Sequence, residues 1–339
     1  GSKPSLSGPR GPAHDLLLQF HRRYDSSMRS KNTRKGDPLV TLSTPAAASP
    51  SVHGREPKSP TGSGASMPDV QASGDFRNVA IDKVGVKDVT FPIRLRVPQD
   101  HPNAVLGPEQ TTVATIAMYV SLPHYQKGTH MSRFLEVLNE HAGVGKSIEP
   151  RDIPVITEAI RERLDAEEAH FEATFTYFIN KNAPVTGSSG LMDYRVTFEC
   201  TASRSGATDD FVMGVTAPAA SLCPCSKEIS QYGAHNQRCL IEAKVRFDKS
   251  RGQLWIECLA EIIEKAASCP VFAVLKRPDE KWVTEHAYEN PKFVEDIIRD
   301  LAVALNHDDR ITWYAISSEN FESIHNHNAY AQITRNKHG

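Results

Sequence analysis

The chain has 339 residues, 39% of them hydrophobic and 24% charged, with a formal net charge of −2; this is the composition of a soluble globular protein of about two domains. No apolar run approaches the roughly 18 residues of a membrane span, and the start lacks the basic-then-apolar pattern of a secretory leader, so a cytoplasmic location with no membrane partner is expected. Charge is unevenly placed: residues 1–66 hold ten Lys or Arg against four Asp or Glu, a net of +6 that leaves −8 for the rest, and an acidic body argues against a nucleic-acid-binding core.

The first 70 residues read as a basic, disordered tail. Nine of the 22 prolines fall at or before Pro68, among Ser, Gly and Ala, and such a stretch buries too little apolar area to offset its ordering entropy. Residues 15–24 are its one helical candidate. Gly1-Ser2 has the look of a cleavage scar, and Met67, where the composition changes, is expected to be a natural start or the border of a dispensable leader.

From about Asp75 the chain becomes regular. Residues 84–97 and 111–122 alternate and are rich in β-branched side chains, so both read as strands. Residues 132–141 and 153–164 carry apolar residues at helical spacing (Phe134, Leu135, Leu138; Ile156, Ile160, Leu164). Strands at 169–179 and 191–203 follow, giving β-β-α-α-β-β. The same order recurs: strands at 210–217 and 239–247, helices at 253–267 and 291–305 with Pro291 in the first turn, and strands at 311–317 and 329–334. The expected class is α+β, with two antiparallel sheets, each with a helix pair on one face. The expected units are 75–205 and 206–337. The uncovered sheet faces are expected to be buried in an oligomer.

Six cysteines, all between Cys200 and Cys269, form no spread disulfide framework, so metal binding or catalysis is the better use for a special pair. Cys223-Pro224-Cys225, with His235 twelve residues after the first Cys, offers the thiolate and imidazole that zinc-like ions prefer. Pro224 fixes the backbone, so one thiol is free to bind metal while the other faces substrate. The alternative is a pair of buried small hydrophobes at a strand end. Glu322-Ser323-Ile324-His325-Asn326-His327 is a polar segment between strands, either a functional loop or a polar turn. Arg277-Pro278-Asp279-Glu280-Lys281 reads as a charged connection between two helices. Lys127-Gly128-Thr129-His130-Met131-Ser132-Arg133 opens a helix, where free backbone donors and basic side chains suit a phosphate; capping by Thr129 or Ser132 is the plain alternative. The Gly-Lys-Ser/Thr order of a P-loop is missing.

Four of these stretches resemble the signature segments of GTP cyclohydrolase type IB. They are Lys127 to Phe134, Ser221 to Ser230 with Gly233 to Arg238, Glu289-Asn290-Pro291-Lys292-Phe293-Val294-Glu295-Asp296, and Asn320 to His327. The resemblance spans about residues 70–337. It implies the tunnelling fold with two tandem β-β-α-α-β-β units, a homotetramer with active sites between subunits, and GTP as substrate. It also implies hydrolytic opening of the guanine imidazole ring with release of formate, ending in 7,8-dihydroneopterin triphosphate for folate synthesis. By the same resemblance Cys223, His235, Glu280 and His325 hold a divalent metal (zinc, manganese or iron(II)), with Asp279 open as an alternative to Glu280, and His327 to His325. Cys225 is implied as the catalytic cysteine, His325 or His235 as general acid, and Glu295 as the anchor of the guanine ring. Lys127, His130, Ser132 and Arg133 would face the triphosphate. Two other readings stay open: a tunnelling-fold nitrile reductase using NADPH, and a non-enzymatic scaffold stabilised by metal.

Overall fold

The computed structural model describes residues 69–337, apart from 72, 100, 102–106 and 208; the readings of the tail, including the 15–24 helix and Met67, lie outside them. Nine strands form one sheet: β1 (Ile81–Arg96), β2 (Glu109–Leu122), β3 (Glu168–Asn182), β4 (Ser189–Ser203), β5 (Asp210–Leu222), β6 (Asn236–Phe247), β7 (Cys269–Pro270), β8 (Ile311–Asn320) and β9 (Ala329–Asn336). The strand order is β1-β2-β3-β4-β5-β6-β8-β9, with β7 paired to β5. All these pairings are antiparallel. The two expected sheets are therefore joined: β4 pairs with β5 from Thr201 opposite Asp210 to Arg195 opposite Thr216.

The alternation that predicts strands also decides which face is covered. Along β3, Ala169, Phe171, Ala173, Phe175 and Tyr177 are buried while His170, Glu172 and Thr174 are half-exposed. Against the buried face lie four helices: α1 (Met131–Ala142), α2 (Ile153–Arg163), α4 (Ile256–Ala266) and α6 (Val294–His307). Each contributes a stripe at 3–4-residue spacing, such as Phe134, Val137 and Leu138 on α1 and Ile297, Ile298, Leu301 and Leu305 on α6. Each large apolar side chain so buried contributes about 1.5–3 kcal/mol. The opposite face is polar. Lys83 pairs with Glu172 (3.2 Å), Lys244 with Glu199 (2.7 Å) and Arg246 with Asp210 (2.5 Å), and Arg246 lies 4.0 Å from the centre of the Trp313 ring.

Two helices fall where none was expected. The short α3 (Pro224–Ile229) follows β5, and α5 (Arg277–Glu289) begins at the supposed charged connection. Its first turn is closed by Asp279, which accepts the Lys276 N–H at 3.0 Å. The helix after it starts at Val294, so Pro291 lies ahead of it. Two hydrogen bonds set this start: the Lys292 N–H donates to Leu222 O at 3.0 Å across the fold, and the Phe293 N–H is taken by the Asp296 carboxylate at 3.0 Å.

Candidate active site

The register of the sheet places the chemistry-bearing segments. β5 ends at Leu222, opposite Asn236 at the start of β6, and Cys239, three residues into β6, lies opposite Asn320 at the end of β8. The Cys223 segment, His235 and the loop before β9 therefore share one edge of the sheet. Lys292, just ahead of α6, joins them through Leu222 O, and its carbonyl oxygen accepts the Ser221 hydroxyl at 3.0 Å.

Cys223 caps α3, with Pro224 in the first turn, where the fixed proline φ suits a helix start. Its Sγ accepts the Ser226 N–H at 3.5 Å. The Cys223 N–H donates to His235 O at 3.1 Å, and Ser226 Oγ accepts the His235 N–H at 3.1 Å, so both residues are held by the same serine. Cys223 is half-buried and Cys225 exposed, so the two thiols do sit in different surroundings. The plain alternative holds for the other cysteines. Burial pushes the Cys239 thiol up to about 12 and those of Cys200 and Cys269 up to about 11, and raises Cys258 as well; a thiolate nucleophile or ligand is disfavoured there.

His235 is held from its side chain too. Its Nδ1 lies 3.1 Å from Gln237 Oε1 and 3.4 Å from Ser323 Oγ. The Gln237 amide nitrogen donates to Glu322 Oε1 at 3.4 Å, and Glu322 Oε2 lies 3.5 Å from His325 Nδ1. The His325 ring stacks on His327, with centroids 5.1 Å apart and planes at 24°. Sequence reasoning missed Gln237, Glu322 and Ser226. The only signal was the Glu322-x-x-His325 spacing, because the network joins a strand to a loop far along the chain.

Glu280 and Glu295 sit on the first turns of α5 and α6, both exposed. Neither carboxylate has a hydrogen bond or ion pair among the described residues. Both helix starts belong to the Cys223 edge. Trp282, Val283 and Ala287 of α5 cluster with Leu222 and Ala234. Asp279, the alternative to Glu280, is fully buried. It accepts the N–H groups of Val185 and Thr186 (2.9 Å each), the Thr186 hydroxyl (2.7 Å) and the Lys276 N–H. Its oxygens are occupied by structure, which leaves Glu280 the free carboxylate of the pair.

Lys127, His130, Ser132 and Arg133 lie elsewhere. They follow β2, whose Val120 opposes Ala169 at the start of β3; β3 starts opposite the end of β4, and β4 ends opposite the start of β5. The segment thus begins at the edge of the sheet away from Cys223. β5 alone has 13 residues, about 40 Å at roughly 3.3 Å per residue. His130 is the N-cap of α1 without a side-chain cap bond, so neither Thr129 nor Ser132 caps it. The His130 ring instead pairs with Asp69 at 3.1 Å, and the Lys127 and Gly128 N–H groups donate to Ser73 O and Gln71 O.

Among the described residues, no three of His, Cys, Asp and Glu stand close enough to hold a metal ion. The donor chemistry of Cys223 and His235 nevertheless fits one. The half-buried thiol and the imidazole belong to residues joined by the Cys223 N–H to His235 O bond, and the imidazole's Nδ1 is engaged, as it is in ligating histidines. Glu280 and His325 are not drawn into that pair within one chain.

Comparison with known proteins gives a consistent result. The family model described as type I GTP cyclohydrolase folE2 matches residues 67–331. A GTP cyclohydrolase FolE2 of Magnetococcus marinus is 52% identical over 267 residues, 79% of this chain and 95% of that protein. The protein of that name from Syntrophobacter fumaroxidans is 51% identical over 273 residues, covering 80% of this chain and all (100%) of its own. Among solved structures, a uricase from Bacillus fastidious overlaps 76% of this chain and 94% of its own, with a TM-score of 0.48 at 10% identity; likeness at that level says nothing of chemistry. No helix among the described residues is long and apolar enough to cross a membrane.

Proposed function

The chain belongs to the type I GTP cyclohydrolase folE2 family, and on that premise we propose that it is a GTP cyclohydrolase, opening the guanine imidazole ring and releasing formate to give 7,8-dihydroneopterin triphosphate for folate synthesis. Family membership sets aside the reductase and scaffold alternatives. The observation that carries the assignment of the site is the Cys223 edge: one exposed thiol, one half-buried thiol, and a histidine locked to both strand and loop.

Each residue at that edge has a proposed part. Cys223 and His235, completed by Glu280 and His325, would hold a divalent ion (zinc, manganese or iron(II)), which when bound supplies the Lewis acidity that lowers the pKa of water from 15.7 towards about 7. Glu295, exposed at a helix start, would accept two hydrogen bonds from the guanine ring N–H and exocyclic amine, selecting guanine over adenine. Water adds at carbon 8 and gives up a proton to whichever of His325 and His235 has its Nε2 free of the ion, and that imidazole relays the proton to the departing ring nitrogen. Cys225, at the mouth of the site, assists as acid or nucleophile. A second hydrolysis frees formate.

The triphosphate would be bound by Lys127, His130, Ser132 and Arg133. Their place at the far edge of the sheet supports an active site completed by a second chain, in a homotetramer of cytoplasmic enzyme. Residues 75–205 and 206–337 are read as two tandem tunnelling-fold units whose sheets are fused at β4 and β5. The test is formate release and pterin fluorescence from GTP, using metal-stripped protein with zinc, manganese or iron(II) restored separately. Turnover that returns with one of the ions supports the reading; a folded, metal-loaded protein that leaves GTP intact refutes it.

A further inference from the structure

We infer that Gln237 and Glu322 are positioning residues that hold both histidines of the site, His235 and His325, in one neutral tautomer, with Nδ1 protonated and Nε2 bare. The direction of every bond follows from one group. Carboxylate oxygens serve as acceptors, and the Glu322 side chain is 14% exposed. At Oε2 its neighbour is His325 Nδ1, which must donate. At Oε1 its neighbour is the Gln237 amide, which must present its NH2. That turns the amide oxygen to His235 Nδ1, which must also donate. Amide orientation, ambiguous in isolation, is thus set by the carboxylate. Ser323 Oγ, 3.4 Å from the same Nδ1, carries a hydroxyl that rotates to suit.

The anchoring is rigid where it needs to be. Gln237 sits in β6 opposite Ser221, two residues before Cys223, and the loop bearing Glu322 is pinned by the Phe321 N–H donating to Arg238 O at 3.0 Å. His327 stacked on His325 restrains that ring's plane. Both imidazoles then offer an Nε2 lone pair, the atom needed by a ligand or a proton carrier. What Nε2 does with it rests on the cyclohydrolase reading; the tautomer itself does not.

The test uses the full chain, labelled with 15N at histidine, without ion or GTP, above the pH range in which imidazole is charged. His235 and His325 are expected to show protonated Nδ1 and bare Nε2. In Gln237→Leu, His235 is expected to lose that pattern while His325 keeps it; in Glu322→Gln, His325 is expected to lose it. His307 reports on folding, since its Nδ1 faces the Val303 carbonyl oxygen at 2.7 Å and must carry the proton in every folded variant. Protonated Nε2 on His235 in the unaltered chain, or an unchanged His235 in Gln237→Leu with His307 intact, overturns the inference. With ion and GTP restored, Gln237→Leu is expected to lower kcat by about 10–100-fold with KM little changed. An unchanged kcat would remove the positioning role. The nitrogen pattern needs neither substrate nor ion, so its failure is distinct from a failure of the cyclohydrolase reading.

Discussion

Cys225 and Cys223 show how two residues of one type, separated by a single proline, come to lie in different surroundings. Cys223 accepts a backbone N–H and lies half under the surface; Cys225 is exposed. Cys225→Ala is therefore expected to lower turnover by about 10²–10⁴-fold while the bound ion, read by metal analysis, is retained. Full activity would take Cys225 out of the reaction. Glu295 makes a separate claim. Its carboxylate is unpaired among the described residues and stands exposed at a helix start, so replacing it disturbs no internal bond. Glu295→Gln should weaken GTP binding by about 1.5–3 kcal/mol, the worth of a hydrogen bond to a charged group, with an unchanged melting temperature. Unchanged affinity in a titration would mean that guanine is anchored elsewhere.

At the scale of elements, strands and amphipathic helices were legible because period-2 and period-3.6 patterns survive in the sequence. α5 was not, because it fully buries only Asp279 and Ala287 and so leaves a narrow apolar stripe in a charged segment. Pro291 misled because its neighbour Lys292 gives its N–H to Leu222 across the fold. The Cys-Pro-Cys segment could be singled out as a candidate because it is contiguous; the Gln237–Glu322 link could not, since the pairing of β6 with β8 brings it together. Asp279 is the structural counterpart of this difficulty, a carboxylate that stands in sequence as an alternative metal ligand to Glu280 and is a clamp in the fold. Burial alone would raise its pKa, but the Thr186 hydroxyl and the N–H groups of Thr186, Lys276 and Val185 outweigh it and hold the carboxyl well below the usual range. A depressed carboxyl stabilises the fold above its unfolded pKa of about 3.9, and that contribution fades as pH falls towards the folded value. Asp279→Ala should lower the melting temperature by several degrees at pH 7, and the gap should narrow below about pH 4; a gap constant over that range would deny the ionised clamp. Gly85 is a second fixed point. A Cβ there would stand 2.0 Å from Met118 O and 2.8 Å from Tyr119 Cα, and backbone cannot yield as a side chain would. Gly85→Ala is expected to cost about 1–3 kcal/mol in denaturant unfolding.

Over the whole molecule, the separation of the proposed triphosphate residues from Cys223 makes assembly testable by mixing. If one chain supplies Cys225 and another Arg133, then Cys225→Ala and Arg133→Ala chains, each impaired alone, should regain activity when unfolded and refolded together. Random pairing restores about one quarter of interfacial sites. No regain would mean that each chain completes its own site. The seam between β4 and β5 has a consequence of another kind. Those strands follow one another in the chain after Ser203, and among the described residues they are the only strands that pair across the midpoint of the sheet. A cut in that turn would leave two fragments, each ending in a bare strand whose complement is the other's. Such strands are templates for pairing: the fragments should find each other and rebuild the sheet, making this chain a natural split-protein reporter whose signal is pterin fluorescence.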